Sequence, residues 1–134
     1  MKPETSPISQ RRAFSLVEVL AAVAIIGIIS FLALPNLIQI RMDSERNLAI
    51  ARAESVNMAI VSYIQANGRD RAVAEWATKT TDQQRYELLA PYMAFSPTNF
   101  TDFMPSGYVL GIQTDITALS KAGLAQSDGT AIYY

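Results

Sequence analysis

With zero cysteines and zero histidines among 134 residues, the chain has no thiol nucleophile, disulfide or imidazole acid or base, and few of the usual zinc or haem ligands. No paired carboxylates, serine with a base, phosphate loop or metal cluster stands out of the sequence. Asp70 with Glu75, and Glu54 with Arg52, read as solvated charges on helix faces. One carboxylate is out of place. Glu18 lies in the run from Leu16 to Leu34, whose residues are almost all aliphatic. A charge about one turn inside such a helix costs up to roughly 3 kcal/mol at mid-bilayer, and less near the interface, so Glu18 needs a cation. Arg11 and Arg12 precede the run and can snorkel toward it. A chain beginning at Phe14 would offer a nearer cation, its own α-amine, on the same helix face at i−4 from Glu18.

The element that must position Glu18 is the apolar run itself. As a helix rising about 1.5 Å per residue, Leu16 to Leu34 reaches about 28 Å, enough to span a bilayer. Before it, residues 1–13 are polar, contain Pro3 and Pro7, and carry Lys2, Arg11 and Arg12 against the single acid Glu4. That leader reads as unfolded and cytosolic, and its positive charges place the C-terminal part across the membrane. An ordinary secretory signal, cut after Ala22-Val23-Ala24, fits less well, because its core would shrink to Phe14–Ala21 and include Glu18. A plain signal anchor explains the length and the orientation but not the acid.

The stretch Arg11-Arg12-Ala13-Phe14-Ser15-Leu16-Val17-Glu18-Val19-Leu20 resembles the cleavage and methylation motif of type IV pilins and type II secretion pseudopilins. The resemblance implies that a prepilin peptidase cuts between Ala13 and Phe14, N-methylates Phe14, and leaves Glu18 as the fifth mature residue, an assembly contact. The offsets of Gly27 and Pro35 from Phe14 also match the glycine and the helix-bending proline of many pilins. Gly27 weakens a helix locally and Pro35 removes one backbone hydrogen bond, so the resemblance implies a segment that bends or extends when subunits leave the bilayer. One departure is Ala13, where the family usually has glycine; alanine is still small. The implied partners are the prepilin peptidase, other pilin or pseudopilin subunits, an inner-membrane assembly platform and the lipid bilayer.

Beyond Pro35 the helical pattern continues. Ala49, Ala53, Val56, Ile60 and Ile64 recur at three- and four-residue steps, with Met42 two turns earlier, and Asn67-Gly68 is a stop signal, so one helix over about 15–66 is expected. Two shorter helices are expected over 71–78 and 82–90, the second opened by a Thr81/Gln84 capping box and closed by Pro91. Trp76, Tyr86, Leu88, Leu89, Tyr92, Met93 and Phe95 supply apolar material to cover the long helix. Strands are expected over 108–112, 116–121 and 130–134, and the resemblance implies that they form a small antiparallel sheet packed on the helix. The fold class is thus α+β and pilin-like, divided into a cleaved leader (1–13), a transmembrane and assembly helix (14–40) and a periplasmic domain (41–134).

With 11 basic and 12 acidic side chains, and three of the basic ones in the leader, the chain offers no field that would hold nucleic acid, and none is expected as partner. No cofactor, no metal and no enzymatic activity is expected. The function implied is a structural subunit of a type IV pilus or a type II secretion pseudopilus, with the short variable region and missing disulfide leaning toward a pseudopilin or minor pilin. It would reside in the bacterial inner membrane as a single-pass precursor and then in a filament. The alternative is a membrane-anchored binding module that never polymerises. The expected mature protein begins at N-methylated Phe14, which mass spectrometry of the purified membrane form checks; a start at Met1 or Ile25 overturns the processing scheme.

Overall fold

The computed structural model describes residues 14–134, so the leader, with Arg11, Arg12 and Ala13, lies outside the described residues. Two compact units divide the chain, Met1–Ile40 and Arg41–Tyr134. The first helix, α1, runs Leu16–Asn67 and contains Pro35. Helical structure therefore passes through the proline despite the donor it removes. In the first unit the side chains of α1 are exposed throughout, and by length and composition the helix can cross a membrane.

In the second unit the same helix has a buried face. Ala49, Ala53, Val56, Ala59, Ile60 and Tyr63 are buried, and Ile64 packs partly against them. The three- and four-residue spacing puts these side chains in one stripe. Met42 is a correction: it is exposed, because the covered stripe begins only at Ala49. The helix ends where expected, at Gly68, whose φ of +79° is costly for a residue with a Cβ. The next helix, α2 (Arg69–Ala77), starts at once, with the Ala72 amide donating to the Gly68 carbonyl at 2.9 Å, two residues earlier than the pattern indicated.

Helix α3 (Asp82–Leu89) opens on the expected capping box. The Gln84 amide donates to the Thr81 hydroxyl at 3.3 Å, and the Thr81 amide donates to the Gln84 side-chain oxygen at 3.4 Å. Pro91 then tightens the chain into a 3₁₀ turn over Ala90–Tyr92.

Among the described residues the sheet has three strands, β1 (Tyr108–Gly111), β2 (Gly123–Gln126) and β3 (Ala131–Ile132), antiparallel in the order β1-β2-β3. The register aligns Leu110 with Leu124 and Leu124 with Ile132, so one row of aliphatic side chains enters the core. The strand expected over 116–121 is not one. Asp115 accepts from the Thr117 amide at 2.7 Å and Gln113 donates to the Ser120 carbonyl at 2.7 Å, so side chains occupy the backbone groups a ladder would need. The central strand lies instead at Gly123–Gln126, a segment without β-branched or aromatic residues.

The aromatic cluster divides. Trp76, Tyr86 and Leu89 are buried, as is Phe103, which the pattern did not single out; Tyr92 and Phe95 stay substantially exposed. The polar tips of the buried rings are satisfied, Trp76 Nε1 donating to the Gln113 carbonyl at 3.1 Å and the Tyr86 hydroxyl to the Pro97 carbonyl at 2.8 Å. Tyr63 donates to Glu75 at 2.8 Å, and burial together with that carboxylate pushes its hydroxyl up to about 12.

A fragment of residues 42–134 is expected to be a soluble, helix-containing monomer by circular dichroism. In it Phe103→Ala should cost about 3–5 kcal/mol in urea unfolding, from lost burial and the cavity left behind. The exposed Val109→Ala should stay within about 0.5 kcal/mol. Because the folded pKa of Tyr63 is raised above 10.0, its contribution is complete below about pH 10. It is lost as pH rises through about 12. A Tyr63→Phe fragment should lack that part of the alkaline loss.

Candidate functional site

The start of α1 is built by two residues. Ser15 and Glu18 stand three apart, the spacing at which a hydroxyl before the helix and a carboxylate in its first turn can cap each other. The Ser15 amide donates to Glu18 Oε2 at 2.8 Å, and the Glu18 amide donates to Ser15 Oγ at 3.2 Å. Two backbone donors that a helix start leaves without intrahelical partners are thereby satisfied. The bond to the carboxylate is the stronger of the two, since its acceptor is charged. The acid also sits at the positive end of the helix dipole.

Sequence reasoning read Glu18 only as a charge in search of a cation. It missed Ser15, although the Ser-x-x-Glu signal is the same kind that located α3. Phe14 precedes the helix and is strongly exposed, so the group that trimming would turn into an α-amine lies just outside the capped turn. Glu18 Oε1 accepts no hydrogen bond among the described residues. Ala13, the other half of the expected cleavage point, is outside them.

Gly27 and Pro35 lie farther along α1. A methyl group added at Gly27 would meet nothing within 4 Å, so no close packing within this chain calls for glycine there. Around Pro35 the side chains of Ser30, Ala33, Leu34, Asn36, Leu37 and Ile40 line a shallow groove of about 480 Å³. From Phe14 to Ile40 the large aliphatic and aromatic side chains are half or more exposed, a surface that water cannot cover at low cost and that lipid or protein must.

The charges of the second unit are more engaged than solvated helix-face groups. Glu54 accepts from Lys121 Nζ at 2.6 Å, and that bond, with a second from Asn57, holds its carboxyl below the usual range. Lys121 also donates to the Tyr134 carbonyl at 2.6 Å and lies 4.6 Å from the centre of that ring. Arg52 donates to the Phe103 carbonyl and stacks 4.7 Å over Phe95. Glu75 is taken by Tyr63, while Asp70 is exposed at the start of α2. These contacts fasten loops and strands to helices; none couples a nucleophile to a base. Among the described residues no group of three or more metal-ligating side chains is gathered.

Comparison with known proteins gives one family match. Residues 8–34 match the prokaryotic N-terminal methylation motif, a stretch that holds Ala13, Phe14, Ser15, Glu18 and Gly27 and ends just before Pro35. No curated protein and no solved structure matches the chain. The motif supports the type IV pilin-like resemblance, and the fold agrees with it in kind: a long N-terminal helix, short helices and a small antiparallel sheet.

Proposed function

We propose that this chain is a filament subunit of a type IV pilus or type II secretion pseudopilus, made as a membrane-anchored prepilin. The observation that carries the reading is the coincidence of the methylation motif at residues 8–34 with a carboxylate held at the first turn of an exposed, membrane-length helix. In this reading residues 1–13 are a cytoplasmic leader, 14–40 anchor the precursor and then pack in the filament, and 41–134 form the periplasmic domain. Prepilin peptidase cuts before Phe14 and methylates its amine. Gly27 and Pro35 let the intervening helix loosen as the subunit leaves the inner membrane.

Glu18 is the assembly residue. Once trimmed, the chain carries an α-amine that is largely protonated at neutral pH and lies close to hydrocarbon, where an unpaired charge is costly. The carboxylate of Glu18, in its own or a neighbouring subunit, neutralises that amine. Pairing between subunits also sets the axial register of helices whose aliphatic surfaces would otherwise slide.

Substitution separates charge from capping. Glu18→Ala removes both, whereas Glu18→Gln keeps an oxygen for the Ser15 amide and loses only the charge. Both variants should insert and be trimmed as the wild type is. Their incorporation into sheared filaments or crosslinked ladders should fall by about tenfold or more, the factor that a charge-assisted hydrogen bond of about 1.5–3 kcal/mol carries. Wild-type incorporation of trimmed Glu18→Ala would favour the membrane-anchored module that never polymerises.

A further inference from the structure

We propose that Asn67 is a modification site gated by the fold: the junction of α1 and α2 keeps its carboxamide away from the Gly68 amide, and a chain opened there converts it to aspartate or isoaspartate. The inference is independent of the filament-subunit reading. Among Asn36, Asn47, Asn57, Asn67 and Asn99, only Asn67 is followed by glycine. Glycine is required there because α1 stops on a residue with a φ of +79°. The same lack of a side chain leaves the Gly68 nitrogen unhindered, and a Cβ built on this residue would meet nothing within 4 Å. The helix stop thus brings with it a dipeptide prone to ring closure.

In that reaction the Gly68 nitrogen loses its proton and attacks Asn67 Cγ. The N–Cγ bond forms, the Cγ–Nδ2 bond breaks, and Nδ2 takes up a proton and leaves as ammonia. Water then opens the cyclic imide at either carbonyl, so the carboxamide becomes a carboxylate on a normal or a lengthened backbone. The closed junction blocks the first step at both atoms. The Gly68 amide donates to the Ile64 carbonyl at 2.9 Å, and Asn67 is still helical, so bringing the nitrogen to Cγ means rotating ψ of Asn67 and breaking that bond. Asn67 Nδ2 donates to the Tyr63 carbonyl at 3.0 Å and to the Tyr92 hydroxyl at 3.2 Å, which turns the carboxamide back along α1. Tyr92 belongs to the 3₁₀ turn after α3, and its ring meets Tyr63 edge-on with centroids 6.1 Å apart. It is the latch, the one of these contacts that tertiary structure supplies and the helix does not.

Conversion does not restore the junction. A carboxylate has no donor for the Tyr63 carbonyl, so two acceptors face each other, and isoaspartate adds a methylene to the main chain between α1 and α2. An opening at the end of α1 is thereby recorded in the covalent structure.

The test uses the full chain in detergent, aged in mildly alkaline buffer either folded or in guanidinium. Peptide mass spectrometry reads the amide-to-acid change at each asparagine, and chromatographic separation of the isomers reads isoaspartate. In guanidinium Asn67 should convert ahead of Asn36, Asn47, Asn57 and Asn99. In the folded chain its conversion should be about tenfold slower or more, since it waits for local opening. Tyr92→Phe keeps the ring and removes the hydroxyl, and should speed folded-state conversion about two- to tenfold, the range that one lost hydrogen bond carries. Asn67→Asp should raise hydrogen exchange at the Gly68 and Ala72 amides about twofold or more, by the same measure. A folded-state rate equal to the unfolded one, or an Asn67 no faster than the other asparagines in guanidinium, overturns the gated site. An unchanged rate in Tyr92→Phe overturns the latch, and unchanged exchange in Asn67→Asp overturns the lasting opening.

Discussion

A backbone surrounded by hydrocarbon has no water to bond with, and the helix of the first unit is long and apolar enough to meet that constraint. Every amide and carbonyl in the apolar run must find its partner within the segment, which leaves the α-helix as the available form. Side-chain identity along most of the run then matters little; what matters is where the helix begins and where its bonding is interrupted. At the beginning, Ser15 and Glu18 satisfy donors that have no helical acceptor. The interruption comes at Pro35, which withholds one amide from the ladder yet leaves α1 unbroken. A sequence otherwise uniform in chemistry is thus marked at two points, and both belong to polar bookkeeping of the backbone rather than to apolar packing.

In the second unit the same helix has a core to cover, and it solves a different problem. Small residues dominate the start of its buried stripe, with Ala49 and Ala53 fully covered, and larger ones, Val56, Ile60 and Tyr63, follow. The sheet contributes a single aliphatic row, Leu110, Leu124 and Ile132, and the helices contribute Trp76, Tyr86 and Leu89. A core of this size leaves little surplus stability. Polar tethers of long sequence separation supplement it: Asn57 on α1 accepts from the Ala122 amide at 2.8 Å, and the Tyr134 hydroxyl donates to the Ala122 carbonyl at 2.6 Å. Lys121 with Glu54 does the same with charge.

How much of this was legible in the sequence depends on how local its cause is. The long helix, its stop at Gly68 and the Thr81/Gln84 box each follow from a few neighbouring residues, and each was readable. Strand β1 was readable because Tyr108, Val109 and Leu110 favour extended backbone on their own. Strand β2 was not, because Gly123-Leu124-Ala125-Gln126 becomes a strand only through its two partners. Nor could any local pattern show that Arg52 would reach the Phe103 carbonyl, or Lys121 the Glu54 carboxylate. At the candidate site the position of Glu18 was legible, and its capping bond has an equally local cause, since Ser15 and Glu18 stand three residues apart.

The outer edge of β1 bears on how copies of this chain could meet one another. The Tyr108 amide donates to the Pro105 carbonyl at 3.2 Å and the Ile112 amide to the Asp82 carboxylate at 3.4 Å, so both ends of this four-residue strand are already engaged. At the opposite edge, β3 is only two residues long. Short and blunted edges of this kind offer a poor template for strand addition. When copies crowd together, ladder growth through the sheet is therefore disfavoured, and side-chain surfaces are left to decide which copies associate. Such surfaces can diverge residue by residue without disturbing the fold beneath them, whereas a backbone interface would bind any chain that presents an extended segment.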